Sequence, residues 1–544
     1  MAEKLGTWKQ RLDAAKLKRQ EYETDNDWAQ VENMYKGRHW ENVTTSYDQL
    51  TFNFIEVICE TIRDSVYFQN PKFHFSTAQE EFKNAAKDFT TVFPYMLRRM
   101  KYKFMTKLAL MDALKWGFGY KYNAFAEVGD PANDIIREDE IYSLWIPHDS
   151  VYWDPDAHGS WDANYCFYEV DVPRKQIERN PSYKLPKDFD KFPDSYVQDH
   201  GEDFKTRDKD DLRRIKIVHV FDRGEGEHRI FTDEWKNWIY RGDWPLGDCT
   251  LFPINMLRLK DNGLYPNGVI KGLITVNQEI NKMESMKLNH AKRFNRKYKA
   301  TGGWDKKELR DLTSGVDGTV VHCDDVAADV TGITDMQMDP AVYASLESMY
   351  FIMKMLSRVG EYRFGTGTRG DTTATEANYI ESGTSLGVNY DRDVVGDFCM
   401  QDAEILGQLI SMHYEESKMY QIANDMSKNW RGMDLQGADL NVMVNVEAAG
   451  PPDAPLERQE AVALMQLMAN DPWTNPVKIR QKLLDTFMTV RDPEEFLNSP
   501  QTIQLITQFL AGGGEKMIDQ YINKDREQNL IQAAGKFSAL PEPV

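Results

Sequence analysis

Between Pro266 and Phe294 the sequence reads PNGVIKGLITVNQEINKMESMKLNHAKRF, with no proline after the first residue. Val269, Leu273, Val276, Ile280 and Met283 recur at helical spacing, and a proline suits the first turn of a helix. A helix over 266–294 would be about 43 Å long at 1.5 Å per residue, which is long for a globular protein. Residues 295–338 follow as a short irregular region with Gly302, Gly303, Gly315 and Gly318 and one strand, GTVVHC. A second helix opens at DPAVYASLESMYFIMKMLSRVGEYRF, with Asp339 as N-cap and Pro340 in its first turn. After the glycine-rich FGTGTRG a third long helix is expected over about 373–418. The simplest geometry has two helices side by side with a small tip at the far end.

The rest of the chain forms a body around this excursion. Residues 4–37 read as helical, with Trp28, Val31, Met34 and Tyr35 in phase. A second amphipathic segment spans Phe52 to Phe68, and NPKFHF stops it and starts a strand at 72–75. Residues 79–116 read as helical again, kinked or divided at Pro94. From GFGYKYNAFAEV onward the period becomes two, with β-type runs IYSLWIP, DSVYWDP, NYCFYEVDVP and RIKIVHVF, and DRGEGEHRIF reads as a hairpin. The result is an α+β body of roughly 260 residues. DLNVMVNVEA, 439–448, reads as a returning strand, and 451–544 as helices broken at prolines and at GGG. No repeat of fixed period is present.

Charge and composition narrow the class. A chain of 544 residues is too long for one ordinary core. No apolar run reaches the length of a membrane span, and the N-terminal stretch lacks the apolar core of a signal peptide. The five cysteines, Cys59, Cys166, Cys249, Cys323 and Cys399, are scattered without CxxC spacing, which suggests neither a disulfide framework nor a zinc site. The compartment expected is reducing cytosol, or a particle assembled there. The net charge of −20 is opposite to that of a protein that grips DNA phosphates. It fits either an ordinary acidic protein or a surface that passes close to a polyanion without sticking.

Three motifs match on paper and fail on context. GTGTRG, 365–370, satisfies GxGxxG but follows a helix where the dinucleotide fold needs a strand. Extended to GTGTRGDT, it nearly fits a phosphate loop, yet Asp371 stands where the phosphate-binding lysine belongs and would repel the phosphates. GTSLG, 383–387, satisfies GxSxG, but Ser385 falls inside the third helical pattern rather than on a strand-to-helix turn. DPDAHG, 154–159, begins like a calcium loop, but its twelfth position is Tyr165, where a bidentate Glu is required. No catalytic constellation, metal site or cofactor site is expected, and the chain reads as not an enzyme.

The ordered set YKGRHW, FNFIEVICETIRDSVYFQNPKFHF, GFGY, WIPHDSVYWDPDA, ANYCFYEVDVPRKQIE, YPNGVIKGLITVNQEINKMES and TATEAN resembles the portal proteins of tailed bacteriophages. Its sharpest pieces are Pro266 and Gly268 with Gln278 and Asn281, and the run Thr373-Ala374-Thr375-Glu376. The resemblance spans nearly the whole chain and is weakest after 451. It implies a ring-forming portal fold: an α+β wing over 1–265 and 374–450, stem helices over 266–294 and 339–362, a small α/β clip over 295–338, a tunnel loop over 363–373, and a helical crown over 451–544. It further implies a homododecameric ring at a unique capsid vertex of the virion, assembled in the host cytoplasm. Double-stranded DNA would pass through its channel during genome packaging and ejection. The implied partners are the large terminase subunit, the major capsid and scaffolding proteins, and the head-completion, adaptor or tail proteins; no membrane is implied.

On this resemblance Arg363, Thr366, Thr368, Arg369 and Asp371 belong to the tunnel loop beside moving DNA, where glycines allow conformations other residues avoid. Thr372 or Thr373 can cap the helix that follows, with Glu376 near its positive end. Acidic walls would repel duplex phosphates and leave no deep binding well. The basic cluster Lys287, Lys292, Arg293, Arg296, Lys297 and Lys299 runs against that trend. It touches DNA, pairs with acidic residues of a neighbouring subunit or the terminase, or is a solvated helix end favoured by the dipole. The alternatives to a portal are another virion structural or adaptor protein, or a nucleotide hydrolase using the 365–372 loop.

Overall fold

The computed structural model describes residues 5–40, 48–127, 130, 137–189, 192–195, 213–260, 263–294, 298–300, 305–307, 310, 330–332, 340–357, 374–414, 418–423, 426–438 and 440–445, with side chains outside 293–300, 330–332, 374–386, 418–430, 433 and 445. The chain divides between Pro451 and Pro452, and all described residues lie in the first unit. In chain order its elements are α1 (Leu5–Asn26), α2 (Trp28–Tyr35), α3 (Phe54–Val66), β1 (Lys72–Ser76), α4 (Lys83–Arg99), α5 (Tyr102–Trp116), β2 (Phe118–Phe125), β3 (Ile141–Ile146), β4 (Val151–Trp153), β5 (Tyr165–Pro173), α6 (Arg174–Arg179), β6 (Arg214–Asp222), β7 (Glu227–Phe231), β8 (Tyr240–Asp243) and β9 (Ile254–Arg258). Then come α7 (Ile274–Phe294), β10 (Tyr298–Ala300), β11 (Val330–Gly332), α8 (Pro340–Ser357), α9 (Ala374–His413), β12 (Lys418–Ala423), β13 (Met426–Trp430) and β14 (Asn441–Asn445). The expected α+β class is the observed one.

The period-two stretch folds into two antiparallel sheets, β3-β2-β9 and β4-β5-β6-β7-β8. Alternation in β5 and β6 divides their side chains between the two faces of the sheet. Phe167, Val218 and Val220 meet the stripe Leu5, Trp8, Leu12 and Ala15 of α1, whose steps of three and four residues put one helix face on the sheet. Cys166, Tyr168 and Phe221 face the principal core instead. Burial of each large side chain there contributes about 1.5–3 kcal/mol. The predicted hairpin joins β6 to β7: Asp222 Oδ1 accepts from the Gly224 amide, and Gly226 takes the left-handed conformation at φ +64°. The returning strand is also present, with β14 pairing antiparallel to β1 from Lys72↔Asn445 to Ser76↔Asn441.

Several boundaries differ from the sequence reading. The first helix is broken at Asp27, which adopts φ +48° and caps α2 by accepting from the Gln30 amide. The division expected at Pro94 falls at Lys101 instead, which turns left-handed at φ +53°. Helix α4 runs through Pro94, whose ring lies on the exposed side. The helix expected from Pro266 begins at Ile274, after a single 3₁₀ turn over Ile270–Gly272. The cause is packing: Gly268 lies so close to the end of α5 that a Cβ would sit 2.1 Å from the Lys115 carbonyl oxygen, and the Val269 amide donates to the Leu114 carbonyl. Gly117, at φ +94°, closes the same contact, with Pro266 O where its Cβ would be. The backbone from Pro266 to Val269 is thus committed to α5 and is not free to coil. Helix α9 ends at His413, short of the expected 418, and the hairpin β12–β13 follows from Lys418. The strand GTVVHC, 318–323, and the Asp339, Thr372 and Thr373 caps lie outside the described residues.

Candidate functional site

Three helices, α7, α8 and α9, carry the candidate site. Helix α7 carries Asn277, Asn281, Ser285 and Asn289 at every fourth position. The last three bind the stretch Asp48–Phe52 through alternate backbone amides. Asn281 Oδ1 accepts from the Phe52 amide at 2.9 Å, Ser285 Oγ from Leu50 at 2.9 Å, and Asn289 Oδ1 from Asp48 at 3.2 Å. The geometry matches because four helical residues rise about 6.0 Å while two extended residues span about 6.6 Å. Asn289 Nδ2 also donates to the Asp48 carbonyl at 2.9 Å, and Lys292 closes the end of the row with an ion pair to Asp48.

At the other end both Asn277 and Asn281 direct Nδ2 at His39 Nδ1. That nitrogen must therefore be the acceptor, and Nε2–H donates to the Met34 carbonyl at 2.9 Å. Burial lowers the His39 pKa from its ordinary value, which suits this neutral tautomer.

Helix α8 packs along α7. Tyr350 OH donates to Glu284 Oε1 at 3.2 Å, and Lys287, itself paired with Glu284, sits 5.6 Å from the Tyr343 ring centroid. Burial, then Glu284, pushes the Tyr350 phenol up to about 12. Leu346, Met353 and Ser357 face inward. The opposite face bears Ala344, Ser348, Phe351, Ile352 and Met355, with Phe351 61% and Met355 64% exposed. Glu347 and Lys354 lie only on its flank.

Helix α9 is seated in the principal core by Val395, Phe398, Leu406 and Ile410, and one of its carboxylates is bound by the body. Asp402 is fully buried, and its Oδ2 meets Lys121 Nζ at 2.6 Å and Tyr102 OH at 2.9 Å. Its Oδ1 accepts from Asn123 Nδ2 at 2.8 Å and Asn255 Nδ2 at 3.0 Å. Lys121 and Asn255 are directly opposite on β2 and β9, so the sheet presents these donors side by side. Burial pushes the Lys121 ammonium down, and the Asp402 carboxylate opposes it. Burial, followed by the neighbouring Asp402, holds the Tyr102 phenol well above its usual range. Every lone-pair direction of Asp402 has a donor, the condition under which a buried charge is tolerated.

The predicted site residues fare unequally. Lys287 and Lys292 lie on α7 and are both engaged within their own chain. The backbones of Arg293 and Lys299 fall in α7 and β10, while Arg296 and Lys297 are outside the described residues. So is 358–373, with Arg363, Thr366, Thr368, Arg369 and Asp371. Residues 383–387, GTSLG, lie within α9. In the DPDAHG loop Asp154 accepts from Asn164, and Asp162 from the His158 and Gly159 amides, so both carboxylates hold their own turn. The polar row of α7 and the donors around Asp402 were not anticipated. The row had a legible signal in its strict four-residue spacing; the Asp402 cluster had none, since its members are scattered from Tyr102 to Asp402.

No helix among the described residues is long and apolar enough to cross a membrane. No curated protein matches the chain. The phage P22-like portal protein family model matches residues 5–234, from α1 through β7 and short of α7. The match spans less than half of the chain and supports reading it as a phage portal protein.

Proposed function

We propose that this chain assembles into a ring at a unique capsid vertex, through which the terminase packages double-stranded DNA and from which the genome leaves. The observation that carries this reading is the outward face of α8. A helix that lies against α7 with Phe351, Ile352 and Met355 exposed has left apolar surface for another subunit. The fourfold row on α7 and the Asp402 anchor on α9 support it further, because they fix both helices to the body as rigid elements. On this reading α7 and α8 are the stem, β10 and β11 the base of the clip, and 363–373 the tunnel loop lining the channel. The remaining basic residues beyond Lys292 approach DNA or an acidic partner. The tail or its adaptor attaches at the same vertex, capsid and scaffolding proteins surround the ring, and the chain carries no catalytic activity of its own.

Negative-stain electron microscopy of the purified protein, averaged along any symmetry axis, tests the proposal. Rings with a central hole wide enough for a duplex are expected, twelve subunits by the resemblance. Compact single subunits that stay single in the presence of scaffolding protein would overturn it.

A further inference from the structure

Where α4 meets α5, a cleft of about 860 Å³ opens on the body. Its floor is apolar, built on buried Pro71, Phe73, Leu97 and Tyr102. Its rim is cationic, with Lys72, Arg98, Lys101 and Lys103 all exposed. Lys107 also lines it but is paired with Asp64 at 2.8 Å. Among the described residues no carboxylate lies within ion-pair distance of the other four. Arg98 and Lys103 lie near aromatic rings, Tyr95 and Phe68, at 5.6 and 5.2 Å. Phe104 stands beside them, 59% exposed.

The left-handed turn at Lys101 produces this arrangement. It brings the last turn of α4 and the first turn of α5 around one opening. Lys103 then sits at the positive end of α5, where the helix dipole disfavours a cation and no acidic residue compensates. Four uncompensated cations around an apolar hole, on a chain of net charge −20, form a surface complementary to one kind of ligand.

We propose that this cleft receives an acidic segment of a partner protein, one bulky apolar side chain entering the floor and flanking carboxylates meeting Lys72, Arg98, Lys101 and Lys103. The concave apolar floor favours a peptide over duplex DNA, which is bound by cations tracking a phosphate backbone. The exposed Phe104 at the rim serves the same anchor residue.

The test is fluorescence anisotropy of the full chain with a labelled peptide of about ten residues, four Glu flanking a central Leu-Phe pair, at about 50 and about 300 mM salt. Saturable binding is expected, weakened by salt and by replacing Leu-Phe with Ser-Ser. Arg98→Glu with Lys103→Glu should weaken it at least about tenfold, while Arg98→Lys with Lys103→Arg retains it. Should the reversal unfold the chain in a circular-dichroism melt, Arg98→Ala with Lys103→Ala gives the same reading. Binding unchanged in these variants overturns the proposal. So does a labelled duplex of about 20 base pairs binding through the same residues when the peptide does not. A change of oligomeric state in the reversed variant, seen by native mass spectrometry, would assign the cleft to contact between copies and overturn it equally.

Discussion

The interior around Asp402 and the outward face of α8 treat burial in opposite ways. In the first, a carboxylate and an ammonium lie with no solvent exposure, and Tyr102, Asn123 and Asn255 complete the carboxylate's hydrogen bonds. In the second, Phe351 and Met355 stand mostly in solvent although the same helix has a well-packed inner face. The body therefore completes its core within one chain, down to its charges. The helical pair α7–α8 does not complete its own. Polar groups can be satisfied by a single fold, whereas a helix apolar nearly all round needs a second body to cover it.

The largest expected effect lies in the body. Asp402→Ala leaves Lys121 charged and unpaired in the interior and should cost about 3–5 kcal/mol, read as a lower urea midpoint by tryptophan fluorescence. Asp402→Leu combined with Lys121→Met should recover much of that loss. A cost under about 1 kcal/mol for Asp402→Ala would mean that α9 is seated by its apolar contacts alone. The next effect lies in the helical pair. Phe351→Glu should leave far-ultraviolet circular dichroism unchanged and abolish higher oligomers in sedimentation velocity. An oligomer that survives it would show that the α8 face is covered by something other than a second copy.

How far the sequence announced this structure follows the same divide. Periodicity reported α7, α8 and α9, and alternation reported the strands but not their division into two sheets. The start of α7 was hidden because Gly268 and Val269 are held by the end of α5, a partner far earlier in the chain. The break at Lys101 was hidden because a lysine in the left-handed region has no sequence signature, while Pro94, the visible breaker, is tolerated on an exposed helix face. Asp402 reads as one acidic residue on a long helix. Only the pairing of β2 with β9 places Lys121, Asn123 and Asn255 around it. The row Asn277, Asn281, Ser285 and Asn289 could have been read from its spacing, yet not its partner, since Asp48–Phe52 carries no regular pattern.

That row gives a smaller effect which sharpens the comparison, because it adds a polar tie between α7 and the body to the apolar contacts of Ile274 and Ile280. Asn281→Ala removes the acceptor of the Phe52 amide and a donor to His39, and should cost about 1–3 kcal/mol. Hydrogen exchange should localise the loss to the Phe52 and Leu50 amides. If protection falls uniformly over the body instead, the row is part of the global core and not a separate tie.

The smallest expected effect is the response of the same tie to acid. His39 Nδ1 accepts from two amide side chains, so protonating it sets a donor against two donors. With burial as the largest cause, its folded pKa lies below the ordinary 6.5, so below that value the unfolded chain binds more protons than the folded one. The contribution is therefore complete above about pH 6.5 and is lost as the pH falls through the folded value. Protection of the Phe52 and Leu50 amides, corrected for intrinsic exchange, should fall several-fold on acidification. His39→Gln, which offers a carbonyl that does not titrate there, should flatten the response. The outer face of α8 carries no such group, since Glu347 and Lys354 only flank it, so the oligomer should persist over the same range. An oligomer that dissociates in that window, while protection at Phe52 holds, would reverse the comparison: the contact between subunits would be the titrating polar one, and the tie between α7 and the body the insensitive one.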